Sequence, residues 1–231
     1  MSAVSHFAPV PFADKPVRQF YNPEAAAFHS DIGKYVPRRI EKLIEEAAGR
    51  FGKEPFLTTA LPNGASATLN FTDVEKHSAN LARYLRDELK LEKGAVVAIQ
   101  SPNCISNVLA MLAVLRAGLV LTNINPLYTA YETRRQLRDA KAVVLITSSL
   151  FPDATEEALQ STDVGTVITL SLTDFFSPVK KAAIDFVLQH VTKMGRPLKI
   201  ANVSMCEALK RGAKHTTPVA TYAPDRDADE D

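Results

Sequence analysis

The stretch AVVAIQSPNCISNVLAMLAVLRAGLVLTN (95–123) decides the fold. AVVAIQ (95–100) is a short unbroken apolar run, the pattern of a strand buried on both faces of a parallel sheet. Ser101-Pro102-Asn103 ends it and opens a helix on which Ile105, Val108, Leu109, Leu112 and Leu115 recur at helical spacing. Asn103 is the expected N-cap of that helix, and Gly118 its C-terminal stop. LVLTN (119–123) reads as a second buried strand. Strand, helix and strand in this order make the βαβ unit of a parallel sheet.

Working outward, the alternation continues in both directions. Downstream, Thr129-Ala130-Tyr131-Glu132 fits a capping box for a helix through Ala140. AVVLIT (142–147), a helix near 153–160, and TVITL (166–170) follow. Asn125-Pro126 is expected to set a rigid turn before that first helix. Upstream, Gly94 releases the chain from a helix carrying Val74, His77, Leu81, Leu85 and Leu89, with Thr72-Asp73-Val74-Glu75 as its expected capping box. Before it, PFLTTAL and ATLNF are strand-like runs joined by Pro62-Asn63-Gly64, a hairpin signal. Ile40, Leu43, Ile44, Ala47, Ala48 and Phe51 form an earlier helical stripe, with Pro37 suited to its first turn. Residues 1–35, with Pro9, Pro11, Pro16 and Pro23, read as an extended leader. The expected architecture is α/β, a mostly parallel sheet covered by helices on both faces, over residues 36–231.

After Thr173 the pattern loosens into a basic helical segment, 173–214. FFSPVKKAAIDFVLQHVTKM reads as one helix with Phe176, Val179, Ala183, Phe186, Val187, Val191 and Met194 on a face, stopped by Gly195. LKIANVS and a third capping box, Ser204-Met205-Cys206-Glu207, lead to a short helix, and an acidic end closes the chain at 224–231. Between 176 and 214 eight basic residues stand against Asp185 and Glu207, whereas the whole chain carries only +1. A basic amphipathic helix with aromatic residues ahead of it is the pattern of a membrane-surface element. Phe175, Phe176, Lys180, Lys181, Lys193, Arg196 and Lys199 are the expected contacts with an anionic bilayer. The alternative is an ordinary covering helix with its apolar side on the sheet.

The function classes that can be excluded are many. A formal charge of +1 gives no global field toward nucleic acid. Two isolated cysteines, Cys104 and Cys206, make no disulfide framework or metal signature and suit a reducing cytoplasm. No apolar run is long enough to span a bilayer, and the N-terminus has no signal-peptide pattern. No two of the nine glycines have GxG spacing, and no Walker loop, HExxH or GxSxG occurs. His77 and His190, each on an apolar stripe, are expected to be half-buried packing residues. No catalytic, cofactor-binding or metal-ligating residue is assigned.

From Asn70 to Leu150 the chain resembles the N-terminal region of the adenylate-forming acyl-CoA synthetases. The features that carry this are Phe71-Thr72 with Glu75, Ser101-Pro102-Asn103, Ala117-Gly118, Asn125-Pro126-Leu127-Tyr128, and Glu132 four residues after that tyrosine. The segment from Phe175 to Asp231 is similar to the long-chain fatty acyl branch. The resemblance implies the N-terminal subdomain of a two-step ligase, truncated. In such a ligase a fatty acid carboxylate attacks the α-phosphorus of ATP, releasing pyrophosphate, and the thiol of coenzyme A then displaces AMP. It implies ATP, Mg²⁺ and CoA for the full-length enzyme, held by residues beyond Asp231, and a fatty acid substrate. Tyr128 and Arg134 would face either a ligand cleft or, by default, packing and solvent. The chain alone is expected to be inactive; the alternative is a stand-alone interaction or membrane-docking module. A cytoplasmic location, peripheral on the inner membrane face, is expected, with oligomers such as a homodimer where sheet surface is left uncovered.

Overall fold

The computed structural model describes residues 40–191 and 196–222. The leader, Val36, Pro37, Lys193, Met194, Gly195 and the acidic end at 224–231 lie outside the described residues.

Helix α1 (Ile40–Phe51) leads into a hairpin, β1 (Pro55–Ala60) and β2 (Ser66–Asn70), paired antiparallel across the Pro62-Asn63-Gly64 turn. Gly64 sits at φ 80°, the left-handed region that such a turn requires. Next come α2 (Phe71–Arg83), β3 (Val96–Gln100), α3 (Ile105–Arg116), β4 (Val120–Ile124) and α4 (Ala130–Asp139). The chain continues through β5 (Val144–Ser148), α5 (Pro152–Ala158), β6 (Thr166–Leu170), α6 (Pro178–Phe186), β7 (Val203–Ser204) and α7 (Met205–Gly212). A 3₁₀ turn, Val219–Tyr222, ends the described chain.

Strands β3 to β7 form a five-stranded parallel sheet in the order β4-β3-β5-β6-β7. Its two faces follow from strand periodicity. Val97, Ile99, Val144, Ile146, Ile168 and Leu170 point to one side and pack with α2, α3 and α7. Ala98 and Leu145 point to the other, against Leu137 of α4 and Leu159 just after α5. The sheet is therefore the expected α/β arrangement, covered on both faces. β7, only two residues long, is a strand that periodicity could not reveal.

Local differences from expectation each have a tertiary cause. α2 is capped by Asn70, whose Oδ1 accepts from the Asp73 amide at 2.8 Å, and not by Thr72. Glu75, the expected partner in that box, is committed to Arg116. α2 runs on into a π-turn, Tyr84–Glu88, so Leu89 falls at the helix end. At α3, Asn103 is exposed and does not cap. The Ile105 amide instead donates to Thr59 Oγ1 of β1 at 2.9 Å, a cap supplied from another part of the chain. Gly118, at φ 66°, ends α3 as expected, with its amide on Leu115 O and the Leu119 amide on Val114 O, both at 3.1 Å. β4 is an edge strand with Val120 48% exposed, not a buried one. Part of that edge is covered, since Gln136 Nε2 donates to Asn123 O at 2.8 Å.

The largest departure concerns α6. Phe175 and Phe176 lie in the turns before it, the helix begins at Pro178, and it continues as a π-turn, Val187–Val191. None of its residues is buried, and its apolar stripe is not on the sheet: Val179 is 80% and Phe186 59% exposed. The inward side instead carries Lys181 and Asp185, paired at 3.1 Å.

Candidate functional site

In an open α/β sheet, ligands bind outside the carboxyl ends of the strands, where the strand order reverses. Here the chain moves from β3 outward to β4, then crosses back to β5, so the rim above β3, β5 and their neighbours is the place to search. At the end of β3, Gln100 Nε2 donates to Thr133 Oγ1 at 2.9 Å and to Asn125 O at 3.2 Å. Those bonds fasten the β4–α4 turn. Within it, Asn125 Oδ1 accepts from the Leu127 amide at 2.9 Å and Asn125 O from the Tyr128 amide at 3.1 Å. Thr129 and Glu132 form the complete reciprocal capping box expected at α4. Arg134 points to α5, donating to Ala158 O at 3.4 Å, a packing role and not a cleft role.

Above the ends of β5, β6 and β7 lies a cavity of about 270 Å³, with Ser149, Thr169, Asp174, Lys181, Asp185 and Cys206 in its wall. Asp174 is its most buried ionisable group, with a side chain 7% exposed. Its Oδ2 accepts from the Ser171 amide at 2.8 Å and Ser106 Oγ at 3.0 Å. Its Oδ1 faces Lys181 Nζ at 3.8 Å and Cys206 Sγ at 3.9 Å. Burial pushes the Asp174 carboxyl above its ordinary range, opposed by the Ser171 amide and the Lys181 charge. Lys181 also donates to Thr173 Oγ1 at 3.1 Å, and Thr173 Oγ1 donates to Asp185 at 2.7 Å. Each charged group in this cluster is thus partnered within the protein.

The thiols on this side are not poised as nucleophiles. Burial pushes Cys206 up, and the Asp174 charge pushes it further; burial likewise raises Cys104. His77 is half-buried against Phe175, ring centroids 5.3 Å apart, and desolvation lowers its pKa. His190 is exposed rather than half-buried, and stacks on Phe186 at 4.4 Å. Among the described residues no group of three His, Cys, Asp or Glu side chains could hold a metal ion. Two carboxylates, Asp174 and Asp185, stand against one ammonium, Lys181, in the wall of this cavity.

A second, larger cavity, about 560 Å³, lies between the hairpin turn and α6. Its wall is apolar: Leu61, Pro62, Leu172, Ala183, Ile184 and Val187, with Leu188 and Asn63 completing it.

The residues expected to touch a bilayer differ in exposure. Phe176 is 6% exposed and so unavailable to one, and Phe175 packs on the core. Lys181 is turned inward and Arg196 is held by Glu156 at 2.7 Å, whereas Lys199 is exposed and only its backbone amide is held by that carboxylate. Lys180 is exposed, and Lys193 lies outside the described residues. Sequence reasoning named Val179 and Phe186 on one face of α6 but did not fix their outward direction, because periodicity marks an apolar face without saying which way it turns. It also missed Arg116, a lone charge at the end of an apolar helix whose partners are far away in sequence. No helix among the described residues is long and apolar enough to cross a membrane.

This architecture, a parallel sheet in flavodoxin-like strand order, has counterparts. Residues 44–226 match the AMP-binding enzyme family, and the chain belongs to it. Among individual proteins, the long-chain-fatty-acid–CoA ligase of Haemophilus influenzae is 36% identical over 62% of this chain and 26% of that protein. The ligase of the same description from Salmonella typhimurium is 31% identical over 74% of this chain and 30% of that protein. The match falls on the N-terminal portion of these ligases, so the chain spans under a third of their length. A crystal structure of a long-chain-fatty-acid–CoA ligase from Archaeoglobus fulgidus shares the fold, with a TM-score of 0.54 and 24% identity over 58% of this chain and 28% of that one.

Proposed function

We propose that these 231 residues are the N-terminal scaffold of a long-chain fatty acid–CoA ligase and carry no catalytic group of their own. In the whole enzyme a fatty acid, ATP and CoA would give acyl-CoA, AMP and pyrophosphate, with ATP, Mg²⁺ and CoA held by residues outside this chain. The observation that carries the reading is the carboxyl rim of the sheet. Its polar groups, Gln100, Asp174, Lys181 and Asp185, are engaged in bonds that hold the fold. The similarity to fatty acid ligases over their N-terminal portion supports the substrate class.

A second role, docking at the cytoplasmic face of a membrane, is favoured by α6, whose apolar residues Val179 and Phe186 turn outward beside Lys180. Exposed Val120, Leu127 and Tyr131 near the β4 edge support an additional surface for a homodimer.

The test of the main reading is ATP–pyrophosphate exchange with a long-chain fatty acid. The chain alone should give none, and measurable exchange would overturn its non-catalytic role. Replacing the matching stretch of the Haemophilus influenzae ligase by these residues should keep exchange. A folded but inactive chimera would count against the ligase assignment.

A further inference from the structure

Helix α6 stands between two empty spaces. On one side, the polar cavity of about 270 Å³ lies between Asp185 and Leu188, on α6 and the π-turn after it, and Ser149, Thr169 and Cys206 at the ends of the sheet. On the other, the apolar cavity of about 560 Å³ lies between Ile184 and Val187 and the hairpin turn at Leu61 and Pro62. The helix buries none of its residues, whereas α7 buries Met205, Ala208 and Leu209, and α4 buries Ala130 and Leu137. A segment with so little buried apolar surface opens locally at a free energy below that of the whole fold.

What holds α6 down is polar. Lys181 Nζ lies 3.1 Å from Asp185 Oδ2 and 3.8 Å from Asp174 Oδ1, and donates to Thr173 Oγ1 at 3.1 Å. Thr173 Oγ1 in turn donates to Asp185 Oδ1 at 2.7 Å. Thr173 and Asp174 belong to the turn after β6. That turn is fixed to the fold, since Asp174 Oδ2 accepts from Ser106 Oγ of α3 at 3.0 Å. Entry to the helix is pinned separately, because Phe176 is buried while Ser177, next to it, is exposed. Movement of α6 about Ser177 therefore breaks the Lys181 and Asp185 bonds without unpacking a buried side chain of the helix.

We infer that α6 is a strap over the carboxyl rim with Lys181 as its latch: released, it swings away and bares Asp174 and Cys206 to solvent. The strap thereby controls access to the end of a parallel sheet where ligands bind. The inference holds whether or not the chain is part of a ligase. Cys206 reports on it, since the thiol is partly buried in the cavity beside α6, with Sγ 3.9 Å from Asp174 Oδ1. Burial and the Asp174 charge raise the Cys206 pKa, and the Lys181 charge opposes them. By charge alone, then, loss of the lysine should slow reaction at this sulfur. Loss of a latch should speed it.

Labelling of Cys206 with dithionitrobenzoate at fixed pH, in the full chain carrying Cys104→Ser so that one thiol remains, tests this directly. Lys181→Met should speed labelling severalfold while the melting temperature changes little. Lys180→Met, which removes the exposed neighbouring lysine, should label as the parent does. Hydrogen exchange should show the α6 amides opening ahead of those of β5 in the parent, and further ahead in Lys181→Met. If Lys181→Met does not fold, Asp185→Asn, which removes the other half of the latch, takes its place and should likewise speed labelling. Slower or unchanged labelling in the latch variants, or α6 exchange only together with the sheet, overturns the proposal.

Discussion

Arg116 donates to the Glu75 carboxylate at 2.8 Å from a position only 1% exposed. The same guanidinium donates to Ser78 Oγ and to Glu75 O, each at 2.7 Å, and reaches Glu45 at 3.4 Å. One buried cation therefore joins α1, α2 and α3 over the apolar face of the sheet. Glu45 and Glu75 are partly exposed, which leaves the acids hydrated while the arginine is dry.

Removing this cation should be costly. Arg116→Ala leaves a cavity and strips partners from Ser78 and a helix carbonyl, so a loss of about 2–4 kcal/mol is expected. Glu75→Gln keeps a hydrogen-bond acceptor and should lose less, about 1 kcal/mol. Urea denaturation followed by circular dichroism measures both, and equal stability of Arg116→Ala and the parent would refute the role.

Gly212 is the point where α7 meets α2. A Cβ placed there would stand 1.8 Å from Asn80 O, a backbone atom that cannot swing aside. Gly212→Ala should force the helices apart and destabilise by about 1–3 kcal/mol or more, despite alanine's better helix propensity. Gly49, in α1, has open space around its Cβ, so Gly49→Ala should be neutral or mildly stabilising. Thermal melts of the pair give the contrast.

Glu156 should give the anchoring of the segment at 196–199 an acid limit. Its carboxylate accepts from Arg196 and from the Lys199 amide, which hold its pKa down at about 2, against an ordinary 4.5. A carboxyl lowered on folding contributes stability above the unfolded value and loses it as pH falls through the folded one. The contribution should therefore be complete above pH 4.5 and fade toward pH 2. In Glu156→Gln this part of the pH dependence should vanish. The melting temperature of both proteins between pH 6 and pH 2.5 checks it; parallel profiles would count against the anchor.

Membrane docking should follow the exposed face of α6 and not the buried aromatics. Sedimentation with anionic vesicles should retain the protein and neutral vesicles should not, each basic residue near the surface adding about 1 kcal/mol. Phe186→Ser should cut retention severalfold with the fold intact. Equal and negligible binding to both vesicle types would end the membrane reading.

The sequence by itself determined the order of the helices and of strands β1 to β6, because apolar runs are local signals. AVVAIQ, AVVLIT and TVITL are short apolar runs of the kind buried as strands of a parallel sheet, and Gly118 and Thr129 mark helix ends by their own chemistry. The absence of phosphate and nucleophile motifs was equally plain. The tertiary structure alone decided which residues meet across long separations: Thr59 capping α3, Glu75 leaving its own helix for Arg116, and Gly212 fitting under Asn80. It also decided the rotation of α6. Periodicity placed Val179 and Phe186 on one stripe, but the Lys181 and Asp185 bonds to Thr173 and Asp174 turned that stripe to solvent. A helix has one apolar face whichever way it turns, and only its partners fix the direction.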